Sequence, residues 1–145
     1  MARALRWLAW VMGVACLAIG LGHLSFGVLS VPGEATAGPT VDSRERYYGA
    51  IFAGYGLAWI WAARQRPVPA VVVRWLAGIF LLGAVGRILS LILVGVPQVF
   101  QVVLTVMEVV LPPLFFWLAT ADEKAMAQER TVSRPEAPRA DPTSA

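Results

Sequence analysis

Four long apolar runs joined by short polar stretches dominate this chain: Trp7–Leu29, Tyr47–Ala63, Val71–Val94 and Val99–Ala119. A helix that crosses a bilayer needs about 20 mostly apolar residues at a rise of about 1.5 Å each. The second run, with 17 residues, is the shortest. A surface helix of a soluble bundle would show a polar face every three or four residues, and these runs show none. With 58% hydrophobic and only 14% charged residues, the chain also lies outside the soluble range. The expected fold class is all-α, an integral membrane four-helix bundle over residues 1–120. A disordered polar tail over 121–145 is expected after at most one more helical turn.

The basic residues set the expected topology. Nine Lys and Arg side chains precede the first run, lie between the second and third or at the start of the third, or follow the fourth. Only Arg44 and Arg46 fall on the opposite side. This positive-inside asymmetry predicts that both termini are cytoplasmic. It also accounts for the net charge of +3 without nucleic acid, so the lipid bilayer is the expected partner. A second copy of the chain or another membrane protein is a further candidate. Arginine outnumbers lysine eleven to one, as in GC-rich bacterial genomes, and the expected location is the bacterial inner (plasma) membrane.

Arg3 and Arg6 followed by an apolar run, with Ala35-Thr36-Ala37 beyond it, resemble a secretory signal. The run has 23 residues against the roughly 7–15 of a signal core, so a retained helix is expected. One cysteine, Cys16, and one histidine, His23, exclude an intrachain disulfide and leave no classical metal site. No cofactor is expected.

Gly13, Cys16, Gly20, His23 and Gly27 repeat at three and four residues and so share one face of the first helix. Gly49, Ala53 and Gly56 form a matching stripe on the second, which predicts close packing of the two. Asp42 or Ser43 is expected to cap the second helix. Gly95-Val96-Pro97-Gln98 reads as a tight hairpin that makes helices three and four antiparallel neighbours.

Two charges interrupt this apolar background, Arg87 and Glu108. An ionised side chain at membrane depth costs about 2.5–3.5 kcal/mol on insertion scales and marks a candidate site. Measured from the outer helix ends, His23, Tyr55, Arg87 and Glu108 lie about 9, 12, 10 and 14 Å deep. Gln98, Gln101, Thr105 and Glu108 form a polar stripe on helix four, and Gly83, Arg87 and Ser90 one on helix three. On helix two, Tyr48, Phe52 and Tyr55 repeat in the same way. Such stripes must face the bundle, because lipid satisfies no hydrogen bond. Pro112 and Pro113 remove the amides that would bond carbonyls 108 and 109, so a kink is expected just inward of Glu108.

Each feature also has a plainer reading. An Arg87–Glu108 ion pair bridged by Tyr55 or His23 can simply fix helix register, or the polar residues can meet a partner. A lone histidine is more often a packing residue than a ligand, and the two glutamines can meet headgroups. The six tryptophans, mostly near cytoplasmic ends, fit an aromatic belt.

His23, Asp42-Ser43-Arg44-Glu45-Arg46-Tyr47-Tyr48-Gly49, Tyr55-Gly56, Gly86-Arg87 with Ser90, Gly95-x-Pro97 and Glu108 together resemble the bacterial domain-of-unknown-function 4345 family over about residues 5–120. That resemblance implies a four-helix membrane protein whose signature set is Arg46, Tyr48, Arg87 and Glu108, with no reaction assigned to it. In outline the family is similar to DoxX-like small four-helix membrane proteins, some linked to quinone or thiol redox chemistry.

Two functions follow as expectations. In the first, a non-enzymatic protein binds a small polar or anionic ligand, or a lipid headgroup, through His23, Arg46, Tyr48, Tyr55, Arg87, Ser90, Gln101, Thr105 and Glu108. In the second, a quinone-linked redox protein holds a quinone head with His23 and Tyr55 while Glu108 carries protons. Alternating-access transport needs more helices than four, or a dimer, and no inverted repeat is visible.

Overall fold

The computed structural model describes residues 1–31 and 37–132. The expected cleavage-like motif and outer loop lie partly, and the tail beyond 132 entirely, outside these residues. Helix α1 spans Ala2–Phe26 and continues into a 3-10 turn, Gly27–Ser30. Helices α2 (Pro39–Arg64), α3 (Ala70–Leu93) and α4 (Val99–Val132) follow, and no strand forms among the described residues.

Three of these segments are long and apolar enough to cross a membrane: Ala2–Ser30, Ala70–Leu93 and Val99–Val132. Helix α2, also expected to span, is long enough but falls short in composition. Its apolar stretch is diluted by Gly49, Gly54, Gly56 and by Tyr and Trp side chains.

The α1–α2 pairing follows from the glycine stripes. Gly13 faces Gly56 and Gly20 faces Gly49, an antiparallel register. A Cβ on Gly49 would lie 2.6 Å from the Leu24 amide nitrogen and 2.9 Å from the Gly20 carbonyl oxygen. Only hydrogen fits there, as the shared-face spacing predicts. Helix α1 ends at Gly27, whose φ of 55° favours glycine and whose amide bonds the His23 carbonyl.

Helix α2 begins earlier than expected. Pro39 occupies its first turn, where a missing amide costs nothing, after Gly38. Asp42 and Ser43 therefore lie inside the helix and do not cap it. Asp42 serves its neighbour instead: it accepts a hydrogen bond from the Val28 amide at 3.0 Å and pairs with Arg46 Nε at 2.8 Å.

Helix α4 runs without interruption through Pro112 and Pro113 and does not stop near residue 121. The tail expected from 121 is helical as far as Val132. Ala121–Val132 is rich in Ala, Glu, Lys, Met, Gln and Arg, all strong helix formers. Arg74 Nη2 also holds Glu123 at 2.5 Å and Thr120 Oγ1 at 3.1 Å, which ties the extension to α3.

The buried core gathers at the end of the bundle that holds both helix α1's start and the α2–α3 turn. Leu5 and Met12 from α1, Trp59 from α2, Val73 from α3, and Phe115 and Leu118 from α4 form its centre. The Trp59 and Phe115 rings lie 4.4 Å apart, centroid to centroid. At the opposite end, where the α1–α2 and α3–α4 connections lie, Ile92, Leu93, Val96 and Val99 are exposed. Two hairpins, α1–α2 and α3–α4, are thus joined at one end and stand apart at the other.

Candidate functional site

The gap between the hairpins is a cavity of about 740 Å³. On α1 its lining reaches from Leu8 to His23, a distance of about 22 Å along the axis. Leu8, Met12, Leu111 and Phe115 line its closed end, and the polar side chains gather at the open end.

One polar wall comes from the α3–α4 hairpin. Arg87 Nε donates to Glu108 Oε1 at 3.0 Å and lies 2.8 Å from Oε2. The N–H direction favours Oε1, and Oε2 is buried with no hydrogen-bond partner among the described residues. Arg87 Nη1 donates to Gln101 Oε1. Gly83 lies one turn before Arg87, and a Cβ there would make only an ordinary contact with Oε2, at 3.8 Å. The Glu108 side chain is 8% exposed and that of Arg87 36%. This is the intrabundle pairing that the lone charges in two apolar runs demand.

The facing wall comes from α1 and α2. Ser30 Oγ donates to the Gly27 carbonyl at 2.6 Å and lies 2.8 Å from His23 Nδ1. With its one proton committed to Gly27, the hydroxyl can act toward Nδ1 only as an acceptor. Glu45 Oε2 lies 3.5 Å from the same nitrogen. Tyr48 and Phe52 continue this wall toward the closed end.

Of the residues expected at a site, His23, Tyr48, Arg87, Gln101 and Glu108 line the cavity. The other four lie outside its lining. Tyr55 turns to α3, where its hydroxyl donates to the Leu76 carbonyl at 2.5 Å while its ring stacks with Phe52 and Phe80. Arg46 grips the end of α1, donating to the Leu24 and Ser25 carbonyls at 2.9 and 3.0 Å. The Thr105 hydroxyl bonds back to the Gln101 carbonyl at 2.9 Å, and Ser90 is exposed on α3. His23 and Tyr55 therefore do not converge as a pair on one ligand head, and neither bridges Arg87 to Glu108.

Glu45 was absent from the expected set although it lines the cavity. The signal was present: the stripe of Tyr48, Phe52 and Tyr55, extended back by three residues, arrives at Glu45. Outside the apolar segments, Asp42 has a carboxyl held below its ordinary range, first by Arg46 and then by the Val28 amide.

A family model, that of a domain of unknown function (DUF4345), matches residues 4–119. The chain belongs to this family. No curated protein and no solved structure matches it. The matched stretch contains both walls of the cavity and the Arg46 clip, and it ends where the polar extension of α4 begins.

Proposed function

We propose that this DUF4345 protein is a four-helix integral membrane protein of the bacterial plasma membrane, and that its cavity binds a small polar ligand or a lipid headgroup. The connections α1–α2 and α3–α4 face outward, and both termini face the cytoplasm. Three long apolar helices with outward-facing Leu, Ile and Val support insertion, and the distribution of Lys and Arg supports the orientation. Helix α2 inserts as the glycine-packed partner of α1, which screens its weaker apolar stretch from lipid.

The observation that carries the binding reading is the cavity itself. Its volume of about 740 Å³ lies within the size range of small-molecule sites, and its mostly apolar lining holds a few convergent polar groups. Arg87 supplies a guanidinium already positioned by Glu108 and Gln101, while His23 and Glu45 face it from the other hairpin. A protein that only needed helix register would gain more by closing the gap than by lining it with charges.

Two measurements test the proposal. For orientation, Gly38→Cys and Ala127→Cys are made in a Cys16→Ser background. A membrane-impermeant maleimide should label the first from outside intact cells and the second only after lysis. For binding, native mass spectrometry of protein released from nanodiscs should show a retained small molecule or lipid that Met107→Trp, which fills the cavity, displaces. A wild-type spectrum identical to that of the filled variant would remove the binding role.

A further inference from the structure

Resting on the cavity reading above, we infer that the ligand is an amphiphile with a protonated amine as its head, its chain directed toward Leu8, Met12, Leu111 and Phe115. The shape comes first. The lining follows α1 for about 22 Å, apolar at the closed end and polar at the open one, which suits a long molecule with one polar end.

The sign of the head follows from the charges around it. Glu45 and Glu108 line the cavity against a single guanidinium, Arg87. That guanidinium already donates through Nε to Glu108 and through Nη1 to Gln101. An anionic head would meet two carboxylates against one guanidinium. An ammonium would balance them.

Hydrogen bonding points the same way. Glu108 Oε2 lies 2.8 Å from Arg87 Nε but receives no well-aligned N–H among the described residues, on a residue only 6% exposed. This oxygen keeps acceptor capacity that the guanidinium does not use, and an N–H of the ligand head would fill it. The aromatic side chains of Tyr48 and Phe52 on the same wall also favour a cation over an anion.

The test is calorimetric titration of the full-length chain in phosphatidylcholine nanodiscs, with empty nanodiscs as the blank. The probes are dodecylamine, protonated at neutral pH, and dodecyl phosphate, which has the same chain. Dodecylamine should bind saturably, and Glu45→Gln and Glu108→Gln should each weaken it by about tenfold or more, the loss expected for a charge-assisted hydrogen bond. Dodecyl phosphate should give no saturable heat. Should Glu108→Gln fail to fold, Glu45→Gln carries the comparison, since Glu45 lies at the half-buried rim. Binding of the phosphate alone would overturn the amine head and leave the cavity reading standing. Equal binding of both probes, or amine binding unchanged in Glu45→Gln, would likewise overturn it. Silence from both probes would remove the amphiphile and count against the cavity reading as well.

Discussion

Arg87 and Glu108 face each other across the α3–α4 hairpin, Nε to Oε1 at 3.0 Å, with the acid far more deeply buried than the base. The asymmetry sets the cost of losing either partner. Removing Arg87 strands a buried carboxylate, whereas removing Glu108 leaves a guanidinium that is partly exposed and still reaches Gln101.

Arg87→Gln should therefore destabilise the fold by about 2–4 kcal/mol, toward the lower part of the range for a broken buried pair because Arg87 is itself partly exposed. Glu108→Gln should cost less, and the double variant should recover part of the Arg87→Gln loss. Thermal unfolding in detergent or nanodiscs measures all three. Equal losses for the two single variants would contradict the burial asymmetry.

The hairpin pairings were legible in the sequence because both rest on local rules. Small residues at three and four spacings predict a close α1–α2 contact, and a four-residue turn makes α3 and α4 neighbours. The separation of the hairpins was not legible, since periodicity fixes a residue's direction on its own helix but not which neighbour it meets. Tyr55 illustrates this: its stripe points into the bundle, yet its hydroxyl ends on the Leu76 carbonyl rather than among the charges. The helical extension to Val132 departs from expectation for a different reason. Polarity alone suggests disorder, while the helix propensity of Ala121–Val132 and the reach of Arg74 to Glu123 favour continued helix.

Gly49→Ala should destabilise by about 1–3 kcal/mol, the range for overpacking, because the new methyl meets the backbone of α1. Gly54 is the internal control on the same helix. Nothing lies within 4 Å of a Cβ there, so Gly54→Ala should be neutral or slightly stabilising through its better helix propensity. Unfolding midpoints of the two variants should separate clearly. Similar midpoints would remove glycine packing as the basis of the α1–α2 interface.

Tyr55→Phe separates packing from binding. The variant keeps the stack on Phe52 and Phe80 and loses only the hydrogen bond to Leu76. Stability should fall by about 1 kcal/mol, and dodecylamine affinity should be unchanged within about twofold. A marked loss of affinity with stability intact would place the Tyr55 hydroxyl at the site instead.

The Asp42 clip predicts an acid-sensitive joint between α1 and α2. Its carboxylate receives the Val28 amide and the Arg46 side chain, and these bonds favour the ionised form, so its folded pKa lies below its unfolded one. Between the two values the unfolded chain binds more protons, so stability falls as pH falls. The contribution is complete above the ordinary aspartate pKa of about 3.9 and disappears as pH drops through the lower folded value. Asp42→Asn cannot ionise, so its unfolding midpoint should start lower near neutral pH and decline less on acidification than that of the wild type. Other carboxylates add their own slope, Glu123 with the same sign because Arg74 holds it below its usual range, and they act in both proteins. The difference between the two curves therefore isolates Asp42. Parallel curves down to about pH 3 would mean that the clip does not depend on the aspartate charge.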